Sequence, residues 1–296
     1  MIIIHEQCPV CQATTINNVF DCVDDTVSKE LFTIVHCNTC QNRFTNNVPS
    51  QDAIGKYYKS EAYVSHSESS ASFINWVYLR VRNFTLLSKK KLIESFTQPN
   101  QRTLLDVGSG TGAFAAYMQA ANWSVTGLEP DADAITVAQS NNNINLQPIA
   151  NLFTQAHGSY DIITMWHVME HVHQLHDYMA QLAKLLAPQG KLIIAVPNYT
   201  SKDAELYGKD WAGYDVPRHL YHFSPQGMKY FAEKHGLRVK TMKPMWFDAA
   251  YVSMLSEKIK TGKSSLIKGL INGAKSNLQA LTNTEKCSSV IYIISK

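Results

Sequence analysis

The sequence of 296 residues lacks a long apolar run. No stretch approaches the roughly 20 consecutive apolar residues that a transmembrane helix needs. The N-terminus also lacks a basic segment, and its three isoleucines end at His5, which excludes the pattern of a secretory signal peptide. These absences predict a soluble, cytoplasmic protein.

Strong net charge is absent as well. The formal net charge is +3, too small to indicate a nucleic acid as partner. Internal repeats and low-complexity tracts are also lacking. What the chain has is an apolar content of 45%, typical of a globular protein, and a length that accommodates one α/β domain of about 200 residues with a small appendage.

Residues 103–114 predict the first half of a nucleotide-binding βαβ unit. A short apolar run ending at Val107 is typical of a buried parallel strand, and glycines follow at alternate positions, Gly108, Gly110 and Gly112. Glycine lets the backbone turn tightly and approach a ligand closely. Apolar residues at helical spacing begin directly afterwards.

Two carboxylates distinguish between possible ligands of this loop. Asp106 lies two residues before the first glycine, and Glu129 ends the next apolar run. A carboxylate at the end of the second strand can accept two hydrogen bonds from a ribose diol. A dinucleotide site would place a pyrophosphate at the loop, where Asp106 is unfavourable. Asp106 instead suits a cation, such as a sulfonium with its amino-acid ammonium.

The D-x-G-x-G-x-G order at 106–112 and the Gly-Leu-Glu-Pro run at 127–130 resemble class I S-adenosylmethionine-dependent methyltransferases. The resemblance extends from about Arg102 to the C-terminus. It implies a doubly wound, Rossmann-like α/β fold with a mainly parallel seven-stranded sheet, and S-adenosylmethionine as the methyl donor. The cofactor-binding residues that it implies are Asp106, Gly108, Ser109, Gly110, Gly112, Phe114, Glu129, Pro130, Asn151, Trp166 and His167. Asn151 stands where many relatives hold the adenine amine with an acid, and its amide oxygen can accept the same hydrogen bond.

Four of the six cysteines form two C-x-x-C pairs near the N-terminus: Cys8, Cys11, Cys37 and Cys40. Two such turns separated by a hairpin-length segment give four thiolates in a tetrahedral arrangement that suits Zn²⁺. The alternatives are a redox dithiol and a ribbon that has lost its metal. The redox alternative is disfavoured because a thioredoxin-type motif opens a helix after a strand, and here there are two copies. Four cysteine ligands leave no open coordination position. We therefore predict a structural zinc ribbon in residues 1–48.

Residues 49–100 are predicted to form a linker or lid followed by a helix. The first part is rich in aromatic side chains: Tyr57, Tyr58, Tyr63 and His66. Segments of this kind close over the cofactor in many small-molecule methyltransferases. Packing against the ribbon is the alternative, and the sequence does not decide between them. Apolar residues at helical spacing predict a helix from about 70 to 96.

A turn rich in histidine follows the predicted strand 160–166. It resembles the corresponding turn of ubiquinone-type and sugar-type methyltransferases, in which Glu-His follows the strand. The carboxyl ends of parallel strands face the ligand crevice, so we expect His167, Glu170 and His171 close to the site of methyl transfer. The alternatives are packing roles for the histidines and a helix N-terminal role for Glu170.

The segment 211–224 is dense in aromatic residues, histidine and arginine, a composition typical of functional loops. Its Pro-Arg-His-Leu-x-His-Phe-Ser run resembles a motif of bacterial methyltransferases from polysaccharide and secondary-metabolite clusters. Neutral histidine is the natural general base near pH 7 when the acceptor is a hydroxyl. The predicted catalytic residues are His219 and His167, then His222 and His171, with Arg218 orienting an anionic group of the acceptor.

A metal-dependent version of this site is the competing hypothesis. His167, Glu170 and His171 share one face of a helical turn, and His219 or His222 could complete a ligand set for a divalent cation. Methyltransferases with a Glu-x-x-Glu-His pattern use Mg²⁺ in this way, but His167 stands at the position of the first Glu. Because Mg²⁺ prefers oxygen ligands, we favour a metal-free site.

Residues 248–286 carry an apolar stripe with lysines beside it. Such a pattern is typical of a helix on an anionic membrane surface, and equally of an amphipathic pair that covers the core or a dimer interface. We favour the second interpretation and keep weak membrane contact through 255–285 as the alternative. The sequence leaves open whether the chain is a monomer or a homodimer.

The combined prediction is a zinc ribbon at 1–48, a linker and helix at 49–100, and a methyltransferase domain at 101–296. The predicted reaction transfers a methyl group from S-adenosylmethionine to an O, N or C nucleophile of a small molecule, in particular a sugar or a lipid-linked glycan precursor. Two other classes remain as alternatives: a non-catalytic scaffold with a cofactor fold, and an NAD-dependent Rossmann enzyme.

Overall fold

The computed structural model describes residues 1–58, 73–263 and 265–296, and the side chains of 73–79 lie outside that description. Tyr63 and His66 of the predicted lid are also outside the described residues. The strands are β1 (Ile2–Ile3), β2 (Ile16–Val23), β3 (Leu31–Cys37), β4 (Arg43–Asn46), β5 (Val48–Pro49), β6 (Thr103–Val107), β7 (Ser124–Glu129), β8 (Gln147–Pro148), β9 (Tyr160–Trp166), β10 (Leu186–Pro197), β11 (Tyr221–His222), β12 (Arg238–Pro244) and β13 (Ser289–Ser295).

The helices of the described residues agree with the periodicity of the sequence. They are α1 (Phe73–Glu94), α2 (Ala113–Ala120), α3 (Ala132–Asn142), α4 (Leu175–Leu185), α5 (Lys202–Tyr207), α6 (Pro225–Lys234), α7 (Asp248–Thr261) and α8 (Leu266–Thr282). Helix α6 starts as its sequence predicts, because the Ser224 side chain accepts a hydrogen bond from the Gly227 amide and Pro225 occupies the first turn. No helix in these ranges is both long and apolar enough to cross a membrane.

Seven strands form a mostly parallel sheet in the order β12-β13-β10-β9-β6-β7-β8. Strand β6 lies between β7 and β9, and its Asp106 is in register with Gly127 on one side and Thr164 on the other. The predicted Rossmann-like α/β sheet is confirmed, with its glycine loop at the carboxyl end of a central strand.

The second sheet explains why a small cysteine-bearing segment is stable in this chain. Strands β2, β3 and β4 form an antiparallel ribbon, and β11 pairs with β4 although it comes from a distant part of the sequence. The pairing sets Tyr221 opposite Phe44 and His222 opposite Arg43. The loop that carries the predicted catalytic histidines is thus bonded to the ribbon.

By contact density the chain divides into two compact units. We call the first the ribbon unit, within Met1–Tyr63, His167–Met179 and Ile194–Ile294. We call the second the glycine-loop unit, within Val64–Trp166, Ala180–Ile193 and Ser295–Lys296.

Each unit has its own apolar cluster. In the ribbon unit, side chains of the ribbon and of the 204–216 segment pack together: Cys22, Phe32, Ile34, Tyr57, Ala204, Tyr207, Trp211, Tyr214 and Val216. In the glycine-loop unit one apolar cluster consists of Ala115, Ala138, Ile144 and Leu146. These clusters hold the loops that carry the candidate site residues.

Candidate functional site

The glycine loop has the backbone conformation that its composition predicts. Gly108, Gly110 and Gly112 all have positive φ, a conformation that a side chain disfavours. A Cβ on Gly112 would lie 2.6 Å from Ile144 Cγ2, whereas a Cβ on Gly110 would meet nothing within 4 Å. The loop is therefore tightly packed at Gly112 and open at Gly110. A loop that binds a ligand through its backbone needs such an open side.

Asp106 and Glu129 are both buried beside this loop. The Thr164 hydroxyl donates to Asp106 Oδ1 at 2.7 Å, and the Gly110 amide donates to Glu129 Oε2 at 2.7 Å. Burial raises the pKa of both carboxyls. The hydrogen bonds that they accept lower the pKa, but by less. A positively charged ligand would favour the ionised form of Asp106. A sulfonium and an ammonium supply this positive charge.

Aromatic side chains lie beside the loop in the same unit. Phe114 and Trp166 pack edge to face with ring centroids 5.7 Å apart, and Lys89 Nζ lies 4.2 Å from the centre of the Trp166 ring. The Trp166 Nε1 atom is buried without a hydrogen-bond partner in the described structure. The Trp166 ring is thus an aromatic surface of the kind that binds cations, and in this structure the Lys89 ammonium occupies it.

The other predicted cofactor residues in this unit are Ser109, Pro130 and Asn151. Ser109 Oγ donates to the Asp106 carbonyl at 2.9 Å, and Pro130 is exposed. The Asn151 side-chain amide donates to Gln147 Oε1 at 3.1 Å. This contact uses an N–H of Asn151 and leaves its amide oxygen as an acceptor.

His167 is held between two carboxylates in the ribbon unit. Its Nδ1 lies 3.2 Å from Glu170 Oε1, and its Nε2 lies 2.9 Å from Asp248 Oδ2. Burial lowers the pKa of His167, but the charges and hydrogen bonds of Asp248 and Glu170 outweigh burial and raise it to about 10. His167 is therefore an imidazolium near neutral pH and has no lone pair with which to accept a proton.

We expect this ion pair to make the stability of the fold depend on pH in a defined direction. The folded pKa of about 10 lies above the unfolded value, so the stabilisation is complete below about pH 6.5 and is lost as pH rises towards 10. His167→Gln should therefore unfold at a lower temperature than wild type at pH 6, with the gap narrowing by pH 10. Thermal unfolding monitored by circular dichroism measures the gap, with the exposed His157→Gln as control. A gap independent of pH would contradict the charged state of His167.

His171 and His219 form a second pair, next to Glu170. Their ring centroids are 4.6 Å apart, and one ligating atom from each of Glu170, His171 and His219 lies within 4.8 Å of the others. His171 Nδ1 lies 3.0 Å from the Arg218 carbonyl, and His219 Nδ1 lies 2.9 Å from the Gly213 carbonyl. A carbonyl only accepts, so each Nδ1 carries a hydrogen and each neutral ring keeps its lone pair on Nε2.

Burial and neighbouring charges set the protonation states of His171 and Glu170. Burial and then the nearby His219 lower the pKa of His171 to about 4, so His171 is neutral at physiological pH. Glu170 is fully buried, and its pKa is lowered by the hydrogen bond and charge of His167 in spite of burial. Its Oε2 atom has no hydrogen-bond partner among the described residues. The cluster thus combines an unpartnered carboxylate oxygen with two imidazole lone pairs.

Arg218 and His222 are engaged by the chain itself. The Arg218 Nε and Nη2 atoms donate to Asp215, both Nη atoms donate to Asp24, and Nη1 donates to the Tyr57 carbonyl. These contacts use all five N–H donors of the guanidinium. His222 is buried with a pKa well below its usual range, because burial disfavours its charge, and its Nε2 lies 2.9 Å from Thr45 Oγ1.

The four ribbon cysteines converge as their spacing predicts. Their sulfur atoms all lie within 4.8 Å of one another, with Cys8 Sγ 3.7 Å from Cys40 Sγ and Cys11 Sγ 3.4 Å from Cys37 Sγ. None of them is in a disulfide. Tetrahedral zinc with Zn–S bonds of about 2.3 Å would set its ligands roughly 3.8 Å apart, so the donor set fits this ion.

The family assignment rests on these features and on similarity to known proteins. A methyltransferase-domain family matches residues 79–241, more than half of the chain. The chain belongs to this family, and it is an S-adenosylmethionine-dependent methyltransferase. The predictions of the class of enzyme and of its methyl donor are confirmed.

Individual relatives agree with the assignment at low identity. A ubiquinone biosynthesis O-methyltransferase from Rickettsia bellii (strain OSU 85-389) is 25% identical over 173 residues, which cover 54% of this chain and 72% of the relative. A protein of the same name from Nitrosococcus oceani is 27% identical over 188 residues, covering 59% and 77%. The crystal structure of a SAM dependent methyltransferase from Archaeoglobus fulgidus is similar in fold, with a TM-score of 0.50, 19% identity, and coverage of 76% of this chain and 100% of that chain.

Two residues of the site, Thr45 and Asp248, have no signal in the sequence, and Tyr58 is predicted only as part of a linker or lid. Thr45 lies on ribbon strand β4, and its hydroxyl donates to the His219 carbonyl at 2.7 Å. Asp248 begins helix α7, far along the chain from the histidine that it pairs with. Tyr58 places its hydroxyl 3.0 Å from His171 Nδ1, while the neighbouring Tyr57 is buried and donates to Glu30 of the ribbon. The segment at Tyr57 therefore packs on the ribbon, the alternative that the sequence left open.

Proposed function

We propose that this enzyme transfers the methyl group to a hydroxyl oxygen of a small molecule and that His219 is the general base. The observation that carries the proposal is the pair of imidazole lone pairs beside an unpartnered carboxylate, at His171, His219 and Glu170. A lone pair at Nε2 can accept the hydroxyl proton as the oxygen attacks the methyl carbon. The name of the curated relatives, which are O-methyltransferases, supports the choice of oxygen.

The residues of the glycine loop are proposed to hold the methyl donor. Glu129 would accept hydrogen bonds from the ribose hydroxyls, and Asp106 would face the positively charged part of the ligand. Trp166, Phe114 and the open backbone at Gly110 would provide the apolar walls. The sulfonium supplies a methyl group with a good leaving group, so the protein mainly positions the reactants and removes one proton.

We assign different roles to the other predicted catalytic residues. His167 is the cationic partner that keeps Glu170 ionised, since its two nitrogens are bonded to carboxylates. Arg218 is a positioning residue, because its carbonyl accepts from His171 and its donors are all used within the chain. His222 anchors the loop to Thr45 of the ribbon. This leaves His219 and His171 as the candidate bases, and the low pKa of His171 makes it a poor proton acceptor at physiological pH.

The acceptor class is proposed from the resemblance of two motifs. The His-x-x-Glu-His turn resembles ubiquinone-type enzymes, and the Arg218–His219 loop resembles enzymes of polysaccharide clusters. A hydroxyl of a sugar or of a lipid-linked glycan precursor satisfies both. Radiolabelled S-adenosylmethionine with a panel of nucleotide-linked sugars, lipid-linked sugars and hydroxylated aromatics tests the proposal. Methylation of the hydroxylated aromatics alone would contradict the sugar class, and amino sugars that are methylated only on nitrogen would contradict the choice of oxygen.

We further propose one structural zinc ion per chain at Cys8, Cys11, Cys37 and Cys40. Protein purified without chelator should contain one equivalent of zinc by elemental analysis, and Cys37→Ser should lose most of it. The buried Cys22 lies outside the cluster, so Cys22→Ser is the matched control and should keep its metal. Zinc binding supplies much of the folding free energy of small ribbons, so the Cys37 variant should also unfold at a lower temperature. Wild-type protein without zinc would refute the site.

A further inference from the structure

Helix α8 has its large and small side chains on unexpected sides. Its buried residues are small: Gly269, Gly273, Ser276 and Ala280. Its large apolar residues are exposed, with relative accessibilities of 64% for Leu266, 71% for Ile267, 54% for Leu270, 49% for Ile271, 64% for Leu278 and 69% for Leu281. A helix that only covers a core would carry its leucines on the buried side.

The buried face of α8 is fixed by close packing on α7. A Cβ on Gly269 would lie 2.8 Å from Met254 Cβ, and a Cβ on Gly273 would lie 2.5 Å from Ala250 Cα. Ser276 Oγ donates to the buried Asp203 carboxylate at 2.7 Å. The helix therefore has no room to turn its leucines inward. The predicted role of this segment in covering the core explains the small buried residues of α8. It does not explain the large exposed ones.

The exposed face forms one continuous arc. At 100° per residue the six large apolar residues span about 140° of the helix circumference. Lys268 and Lys275, two helical turns apart, flank one side of this arc and are exposed. An exposed apolar arc of this size in a protein surface marks a site of interaction.

The charge of the segment identifies the kind of partner. Residues 258–284 contain five lysines and no aspartate or glutamate. Because the whole chain has a formal net charge of +3, the rest of the chain carries a net charge of −2. Two acids that contact the segment, Glu257 and Asp203, are both buried: Glu257 Oε2 lies 3.7 Å from Lys268 Nζ, and Asp203 Oδ1 accepts from Ser276. A second copy of this surface would oppose lysines with lysines, which disfavours a symmetric pair through α8.

We infer that α8 and the carboxyl end of α7 form a docking surface for a membrane of anionic phospholipid. The apolar arc would enter the boundary between head groups and acyl chains, and the lysines would lie among the lipid phosphates. This surface goes beyond the proposed function and does not depend on it. It lies on the helix pair that begins at Asp248, the partner of His167.

Sedimentation of the full chain with vesicles tests the surface. Wild-type protein should sediment with vesicles of phosphatidylcholine that contain phosphatidylglycerol as the minor, anionic component, and much less with pure phosphatidylcholine. Raising NaCl from about 50 to 500 mM should weaken binding, because salt screens the lysines. Lys268→Gln and Lys275→Gln should each weaken binding by roughly fivefold. The double variant Ile267→Ser, Leu281→Ser should abolish it.

The matched control is Leu31→Ser, which removes an equally exposed leucine from the ribbon and should bind like wild type. Thermal unfolding should be nearly unchanged in all these variants, since the replaced side chains are exposed. Equal sedimentation of wild type and the double variant would overturn the inference, as would no sedimentation at all. A wild-type dimer in size-exclusion light scattering that the double variant dissociates would show that α8 binds a second copy instead.

Discussion

Replacing Asp106 by asparagine is expected to weaken the binding of S-adenosylmethionine by about 10- to 150-fold, the range for loss of a hydrogen bond to a charged group. The carboxyl is buried, and burial raises its pKa, so its ionised form is costly until a cation is bound beside it. Asparagine keeps an oxygen for the Thr164 hydroxyl, removes the negative charge and replaces the other oxygen by an NH2 donor. Isothermal titration calorimetry measures the change directly.

Two controls make this result specific. Asp133→Asn removes an exposed carboxylate from the same unit and should leave binding unchanged. Thermal unfolding of Asp106→Asn should stay close to wild type, because the variant retains the hydrogen bond to Thr164. Wild-type protein titrated with NAD should show no binding. Unaltered affinity in Asp106→Asn would contradict the assignment of the cation-binding carboxylate.

Replacing His219 by asparagine is expected to lower kcat by about 10²- to 10⁴-fold, the usual contribution of a general base. The asparagine amide can still donate to the Gly213 carbonyl, as Nδ1 of His219 does, but it has no counterpart of Nε2. The affinity for S-adenosylmethionine should therefore be unchanged. Release of S-adenosylhomocysteine in the presence of an acceptor from the hydroxyl panel measures kcat.

Chemical rescue separates a base from a residue that only shapes the loop. In His219→Ala, added imidazole should restore part of the rate if the missing group is a proton acceptor. Exposed His157→Asn is the control and should retain full activity. Full activity of His219→Asn would eliminate His219 as the base and transfer the role to His171.

Metal dependence is the competing outcome for the same cluster. If Glu170, His171 and His219 hold a divalent cation, EDTA should abolish wild-type activity and Mg²⁺ or Mn²⁺ should restore it. Ribbon strand β4 holds the His219 carbonyl through Thr45, so EDTA can also lower the rate by removing the zinc that we propose at the cysteine cluster. If only Zn²⁺ restores the activity lost with EDTA, and Cys37→Ser loses the same activity, the effect lies at the ribbon. Activity that resists EDTA would support the metal-free site.

Local patterns in the sequence were sufficient for the cofactor loop and the cysteine cluster. The structure has the predicted strand and tight glycine turn, in which Gly112 adopts a positive φ and the Asp106 carboxylate is buried. The C-x-x-C spacing brings two sulfurs together within one turn, and an antiparallel hairpin brings the two turns together. Contacts of this kind span few residues, so short-range rules describe them well.

The chemical states of the histidines depended on contacts far apart in the chain. His167 looked like a base until Asp248, at the start of helix α7, placed a second carboxylate beside it. Arg218 looked available to an acceptor, but Asp24, from the N-terminal ribbon, occupies its donors. The spacing of residues in the sequence does not predict these ion pairs, because each pair forms only when elements that are distant in the sequence pack together.

The sequence by itself determined the βαβ glycine loop, the acidic strand end and the four-cysteine ribbon, since neighbouring residues impose these features. Only the tertiary structure decided that strand β11 joins the ribbon sheet, that Arg218 is already paired, and that α8 buries glycines while exposing leucines. The physical reason is that charge pairing and burial depend on which surfaces meet, and amphipathic spacing alone does not tell which face of a helix is covered.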